Sequence, residues 1–188
     1  MSSECTSVHK LTNGLEMHDF PFDETKIPLN GIYILFEKGE SGHQQDRIVR
    51  VGAHTGENQL RSRLKQHFLK ENKDRSIFRK NIGRALLSQQ ADPFLKLWEL
   101  DLTTRKAKDK YFSLIDFNYQ QSIEKQVSQY IQSNFSFTVF EVKSKEERLD
   151  VEAKLISTVS WCNECSPSNN WLGNSSPKEK IVKSGLWV

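Results

Sequence analysis

Long apolar runs are missing from this 188-residue chain. No stretch approaches the roughly 18 apolar residues of a membrane-spanning helix, so no membrane partner is expected. Residues 1–10 have no apolar h-region, and no secretory leader is expected. Cysteine is scarce: three residues cannot all pair, and without a leader they read as reduced thiols of a cytoplasmic protein. No internal repeat or long low-complexity tract is visible. What remains is a polar, folded chain, 36% hydrophobic and 27% charged, of a length that suggests one domain with insertions.

Positive charge is present and unevenly spread. The net charge is only +3, but residues 47–84 hold eleven basic side chains against Glu57, Glu71 and Asp74, a local balance of +8. Such a concentration is the electrostatic footprint of a polyanion binder, or else two solvated helix faces. Lys80 and Arg84, one helical turn apart, share a face and read either as a phosphate-lining pair or as a solvated face, and Lys65 is a further candidate contact.

Residues 1–30 contain Gly14, Pro21 and Pro28 and few periodic apolar positions, and read as an irregular N-terminal arm. The run Gly31–Phe36 reads as a strand with Ile32, Ile34 and Phe36 on one face and Tyr33 and Leu35 on the other. A polar connection, 37–46, leads to a second strand at 47–51. Helices are expected at about 57–69, capped by Thr55 or Gly56, and at 76–88. Alternation suggests a strand over 94–102, and 103–110 reads as a charged loop. A helix over 119–133 and a strand over 135–142 follow. Ser144 with Glu147 forms a capping-box pattern opening a helix that runs to about 161. The tail, 162–188, is rich in Ser, Asn, Pro and Gly and ends in an apolar segment able to dock.

Several residues carry two readings. On the last long helix, Leu149, Ala153, Ile156, Val159 and Ser160 form a stripe, and Glu152 falls inside it. A carboxylate on an apolar face is costly unless paired or metal-bound, so Glu152 is either a salt-bridged edge residue or a metal ligand. Arg63 and His67 are one turn apart and project together. Alone, His67 reads as a hydrogen-bonded structural residue, Arg63 as part of a solvated face, and Tyr33 as a core aromatic with its hydroxyl at the rim. Cys162 and Cys165 form a C-x-x-C, but zinc needs four ligands. With no second such pair, and with Cys5 and the histidines scattered, reduced structural thiols are expected. The four tryptophans read as core or docking residues.

The order of these pieces resembles the GIY-YIG nuclease superfamily. Gly31-Ile32-Tyr33 matches its first triplet, and Arg50-Val51-Gly52 stands where the second lies, with arginine in place of tyrosine. Arg63 follows Gly52 by eleven residues within Leu60-Arg61-Ser62-Arg63, and His67 matches a histidine found in part of the family. Glu152, in Val151-Glu152-Ala153-Lys154-Leu155-Ile156, resembles the family's metal-binding glutamate. Asn170 or Asn169 resembles an asparagine that follows it. The resemblance covers 31–71 and 144–173. It implies an α/β (α+β) fold with a small mixed or antiparallel sheet flanked by helices, a nuclease domain over 31–188, and an insertion at about 72–142.

The implied activity is metal-dependent endonucleolytic hydrolysis of DNA. Glu152 would hold Mg²⁺ (or Mn²⁺), Arg63 the phosphate oxygens, and Tyr33 the attacking water, assisted by Arg50 and His67. Lys65, Lys80, Arg84 and Asn170 would contact DNA. Some restriction-type members carry a basic residue where Arg50 stands. A cut through both strands calls for a homodimer or two sequential nicks. The alternative is a nucleic-acid-binding module that keeps the fold without cutting.

Overall fold

A computed structural model describes residues 2–188. Its elements in chain order are α1 (Ser2–Asn13), β1 (His18–Asp19), β2 (Gly31–Gly42), β3 (Gln45–Gly52), α2 (Leu60–Phe68), α3 (Ile77–Gln89), α4 (Leu95–Trp98), α5 (Arg105–Tyr111), α6 (Phe117–Asn134), β4 (Phe135–Glu141), α7 (Lys145–Ser160) and α8 (Glu179–Ser184). The four strands form one antiparallel sheet in the order β1-β4-β2-β3. The mixed α/β class with a small helix-flanked sheet is the one the sequence implies.

The alternation along β2 sorts the core into two layers. Tyr33 and Leu35, with Val49 of β3, face α2, α3 and α6. Ile32, Ile34 and Phe36, with Ile48 and Val51, face the other way, against Cys5 of α1 and Val151, Leu155, Ile156 and Val159 of α7. Both faces are covered, which is why β2 reads as a nearly unbroken apolar run.

Four local expectations are corrected. Residues 2–13 form a helix rather than an irregular arm; Cys5, His9 and Thr12 recur at helical spacing and are buried. The hairpin connection is short: β2 and β3 run to a two-residue turn at His43–Gln44, both with positive φ (53° and 61°), the geometry of a type I′ turn. Residues 94–102 hold a single helical turn, α4, instead of a strand. Phe94 and Trp98, four apart, are both buried, and the Trp98 indole N–H donates to the Lys80 carbonyl at 3.0 Å. The charged segment 103–110 is largely helical, capped by Thr104, whose hydroxyl accepts from Ala107 N–H.

Capping signals elsewhere hold. Ser76 caps α3 by accepting from Arg79 N–H, and Ser144 caps α7 by accepting from Glu147 N–H. α2 starts at Leu60, later than expected. Residues 53–59 form a loop pinned by Arg148, which donates to the carbonyls of His54 and Gly56. β4 pairs with β2 from Gly31↔Glu141 to Glu37↔Phe135. The C-terminal end of the expected 72–142 insertion therefore belongs to the sheet, while α4, α5 and α6 pack outside it.

Candidate active site

Both motif glycines are there because something occupies the place of a side chain. Tyr33 pairs across the hairpin with Gly52. A Cβ on Gly52 would fall 2.2 Å from both Cζ and the hydroxyl oxygen of Tyr33. A Cβ on Gly31 would fall 2.2 Å from the Phe140 carbonyl oxygen on β4. The motif therefore works as a unit: the second glycine is the bed on which the tyrosine of the first triplet lies.

The Tyr33 hydroxyl is 2.8 Å from His67 Nε2 and accepts from Arg50 Nε at 3.3 Å. His67 Nδ1 lies 2.7 Å from the Ser76 hydroxyl. The direction of the chain follows from its one obligatory donor. Arg50 can only donate, so the Tyr33 proton points to His67 Nε2, and the imidazole carries its own proton on Nδ1 toward Ser76. Burial, first, and then the guanidinium charges of Arg50, Arg63 and Arg79 hold His67 well below its ordinary pKa. It is neutral at pH 7, with Nε2 placed to accept the hydrogen bond of the Tyr33 hydroxyl. Arg50 also donates to the Trp187 carbonyl and lies over the Phe78 ring, 5.4 Å from its centroid. Tyr33 and His67 are completely buried.

Beside this buried chain, α2 and the loop 53–59 border a cleft of about 290 Å³. Arg63 and Gln66 line one side, and Ala53, His54 and Thr55 the other. Arg63 donates to Gln66 Oε1 (3.1 Å) and to the Arg75 carbonyl (3.3 Å), and has no carboxylate partner among the described residues. Glu152 reaches the same loop: its Oε1 accepts from Ala53 N–H at 2.9 Å, one residue beyond Gly52. The apolar face of α7 is rotated from the expected one. Val151, Leu155, Ile156 and Val159 pack inward, Leu149 and Ala153 are exposed, and Glu152 lies half-buried at the edge.

His54 is a participant that the sequence did not flag. Its Nε2 accepts from Gly31 N–H at 3.3 Å, and its Nδ1–H donates to the Gly56 carbonyl at 2.7 Å. It ties the start of β2 to the loop carrying the cleft. Only its contact with Gly31, far away in sequence, distinguishes it from any other loop histidine.

Most of the basic concentration is not a surface. Arg47, Arg50, Lys73, Arg79, Lys80 and Arg84 are buried. Lys80 Nζ donates to the Glu99 carbonyl, and Arg84 grips the Glu99 carboxylate with two bonds of 2.6 Å. Arg79 pairs with Glu124 at 2.8 Å. The expectation that Lys80 and Arg84 contact DNA is thus corrected: their donors are committed inside the α3–α4 region. Lys65 is partly exposed and pairs with Glu24 at 2.7 Å. Asn170 is exposed and lies apart from the cleft, next to Trp171, whose indole N–H donates to Glu37 farther along β2. Tyr33, Arg50 and His67 thus form one hydrogen-bonded chain, Arg63 lines the cleft with Ala53, and Glu152 bonds Ala53 N–H, while Lys80 and Arg84 bond Glu99 and Asn170 does not line the cleft.

A glycine-paired tyrosine on a helix-flanked antiparallel sheet, with an arginine on the helix of one face and a glutamate on the helix of the other, has the layout of a GIY-YIG-type domain. The GIY-YIG domain family model matches residues 8–188, and the chain belongs to that family. No curated protein and no solved structure matches it. Among the described residues, no helix is long and apolar enough to cross a membrane.

Proposed function

We propose that the protein is an endonuclease that hydrolyses phosphodiester bonds of DNA at the cleft between α2 and the loop 53–59. The observation that carries this reading is the joining of Tyr33, Arg50 and His67 in one hydrogen-bonded chain, with Arg63, which has no carboxylate partner among the described residues, lining the cleft beside Ala53, and the half-buried Glu152 bonded to Ala53 N–H.

In this reading Arg63 binds the non-bridging oxygens of the scissile phosphate, which a planar guanidinium fits in two-point fashion. Arg50 holds the Tyr33 hydroxyl in place, and neutral His67 takes its proton, so that Tyr33 orients and activates the attacking water. Glu152 suits a hard divalent cation, Mg²⁺ or Mn²⁺: one carboxylate oxygen is fixed by Ala53 N–H, and the other has no hydrogen bond among the described residues. When bound, that cation supplies charge stabilisation to the phosphate and the leaving oxygen. Lys65, on α2 beside Arg63, is the remaining candidate DNA contact. The protein acts in the cytoplasm, and a double-strand cut needs a homodimer or two successive nicks.

The test is conversion of supercoiled plasmid in Mg²⁺ and in EDTA. Wild type nicks only with the metal, and Glu152→Ala and Tyr33→Phe lose about a hundredfold or more in rate, the scale of removing a proton-transfer or charge-stabilising group. Cleavage by both variants at the wild-type rate sinks the assignment. One observation favours the second reading, a binding module that does not cut: the Tyr33 ring has no exposure at all. That reading requires salt-sensitive DNA retention with no cleavage in any divalent metal.

A further inference from the structure

At the turn end of the β2–β3 hairpin, away from Gly52, three elements remote in sequence bring four soft ligands together. Cys5 comes from α1, His43 from the hairpin turn, and Cys162 and Cys165 from the segment that ends α7. One donor atom from each lies within 4.8 Å of every other. The Cys5 and Cys165 sulfurs are 3.6 Å apart, and Cys162 Sγ is 3.3 Å from His43 Nε2. Around a tetrahedral zinc with bonds of about 2.3 Å to sulfur and 2.0 Å to nitrogen, the ligand–ligand edges are about 3.8 Å and 3.5 Å. A disulfide needs about 2.05 Å, and all three cysteines are free.

We propose that Cys5, His43, Cys162 and Cys165 bind one zinc ion in a closed Cys₃His site that staples α1 and the end of α7 to the hairpin turn.

The surroundings fit that role. His43 holds a left-handed conformation (φ 53°) at a turn position that favours asparagine or glycine, and this conformation aims its ring into the cluster. Its Nδ1 is 3.0 Å from the Thr6 hydroxyl, which leaves Nε2 free for a metal. Gly42, just before it, is where Cys165 needs room: a Cβ there would fall 2.8 Å from the Cys165 Cβ. His9 is not a ligand. Its Nε2 accepts from Ile48 N–H, so its proton is on Nδ1, which donates to the Cys5 carbonyl at 3.0 Å and fixes the helical turn that carries Cys5. Three thiolates and an imidazole select a zinc-like ion over Mg²⁺, and four protein ligands leave no open position for chemistry. The sequence reads Cys162 and Cys165 as reduced structural thiols, with Cys5 and the histidines too scattered to complete the C-x-x-C. Its two partners come from positions 5 and 43, which only the packing of α1 on β3 brings near.

The test measures metal in the full-length, reduced protein and does not depend on nuclease activity. The expected result is one zinc per chain, replaceable by Co²⁺ with the d–d and thiolate charge-transfer bands of a tetrahedral three-sulfur site. With zinc bound, the three thiols are shielded from a thiol reagent, and chelation exposes them. Because Cys→Ser variants risk misfolding, the second variant is His43→Asn, whose new side chain suits the turn. It folds and binds zinc about tenfold or more weakly, the scale on which metal sites lose affinity when their ligand shell is altered. A folded wild type that takes up neither Zn²⁺ nor Co²⁺ overturns the proposal. So does a Cys5–Cys165 disulfide in the purified protein, or unchanged zinc affinity in His43→Asn.

Discussion

Replacing Gly52 with alanine tests how tightly the two motif triplets are coupled. The added methyl would sit 2.2 Å from Cζ and the hydroxyl oxygen of Tyr33, well inside van der Waals contact. The tyrosine is fully buried and cannot swing aside as a surface side chain would. It is also held by His67 and Arg50. Overpacking of this kind costs about 1–3 kcal/mol. Displacing the hydroxyl from two buried partners adds about 1 kcal/mol for each bond lost. A destabilisation of about 3–5 kcal/mol follows, read as a lower urea midpoint at unchanged slope. In a chain this long it lowers the melting temperature by roughly 2–4 °C per kcal/mol. The second arm is Tyr33→Leu, which removes the atoms the methyl strikes. Combined with Gly52→Ala, it costs at least about 1 kcal/mol less than the sum of the single changes, the signature of a direct contact. A Gly52→Ala protein within about 0.5 kcal/mol of wild type, or strictly additive losses, refutes the reasoning.

Three further outcomes are expected. With six of the eleven basic residues of 47–84 buried, no more than five remain to displace counterions. That segment should contribute no more than about −4 to −5 to the slope of log affinity against log salt for DNA, read as the slope lost on neutralising its five unburied cations together, instead of the −10 or so of eleven contacts. Arg84→Met lowers stability by about 2 kcal/mol because Glu99 loses a two-bond partner in a partly buried pair, yet leaves DNA affinity unchanged in a mobility-shift titration, whereas Arg63→Ala weakens it. The folded-state pKa of His67 lies below its ordinary value of 6.5, so between the two the unfolded chain binds a proton that the native protein does not. Stability is full above about pH 6.5 and falls below it by up to about 1.4 kcal/mol per pH unit for this group. His9 and His54, also lowered chiefly by burial, add to that fall. Denaturant titrations from pH 7 to 5 should show a shallower slope for His67→Gln, and an identical slope argues against a buried neutral imidazole.

What the amino-acid sequence determined by itself were the features that act over a few residues. The two-faced alternation of β2 follows from the pleat, and the starts of α3 and α7 follow from serine caps at 76 and 144. The order of Tyr33, Arg63, His67 and Glu152 marked the family. Periodicity failed where two periods fit equally well, as at 94–102, where an i,i+4 pair of buried aromatics won over strand alternation. Charge failed most plainly. A run of arginines and lysines looks alike whether it faces solvent or salt-bridges a core, and only Glu99 and Glu124, contributed by the region packed against α3, decided that Arg79, Lys80 and Arg84 point inward. Tertiary structure also decided which donor atoms surround Cys162 and Cys165, the contacts of His54, and the meaning of Gly52, whose missing side chain is the space that Tyr33 fills. In each case the deciding partner is distant in sequence, and no local pattern encodes a contact made only when two elements pack.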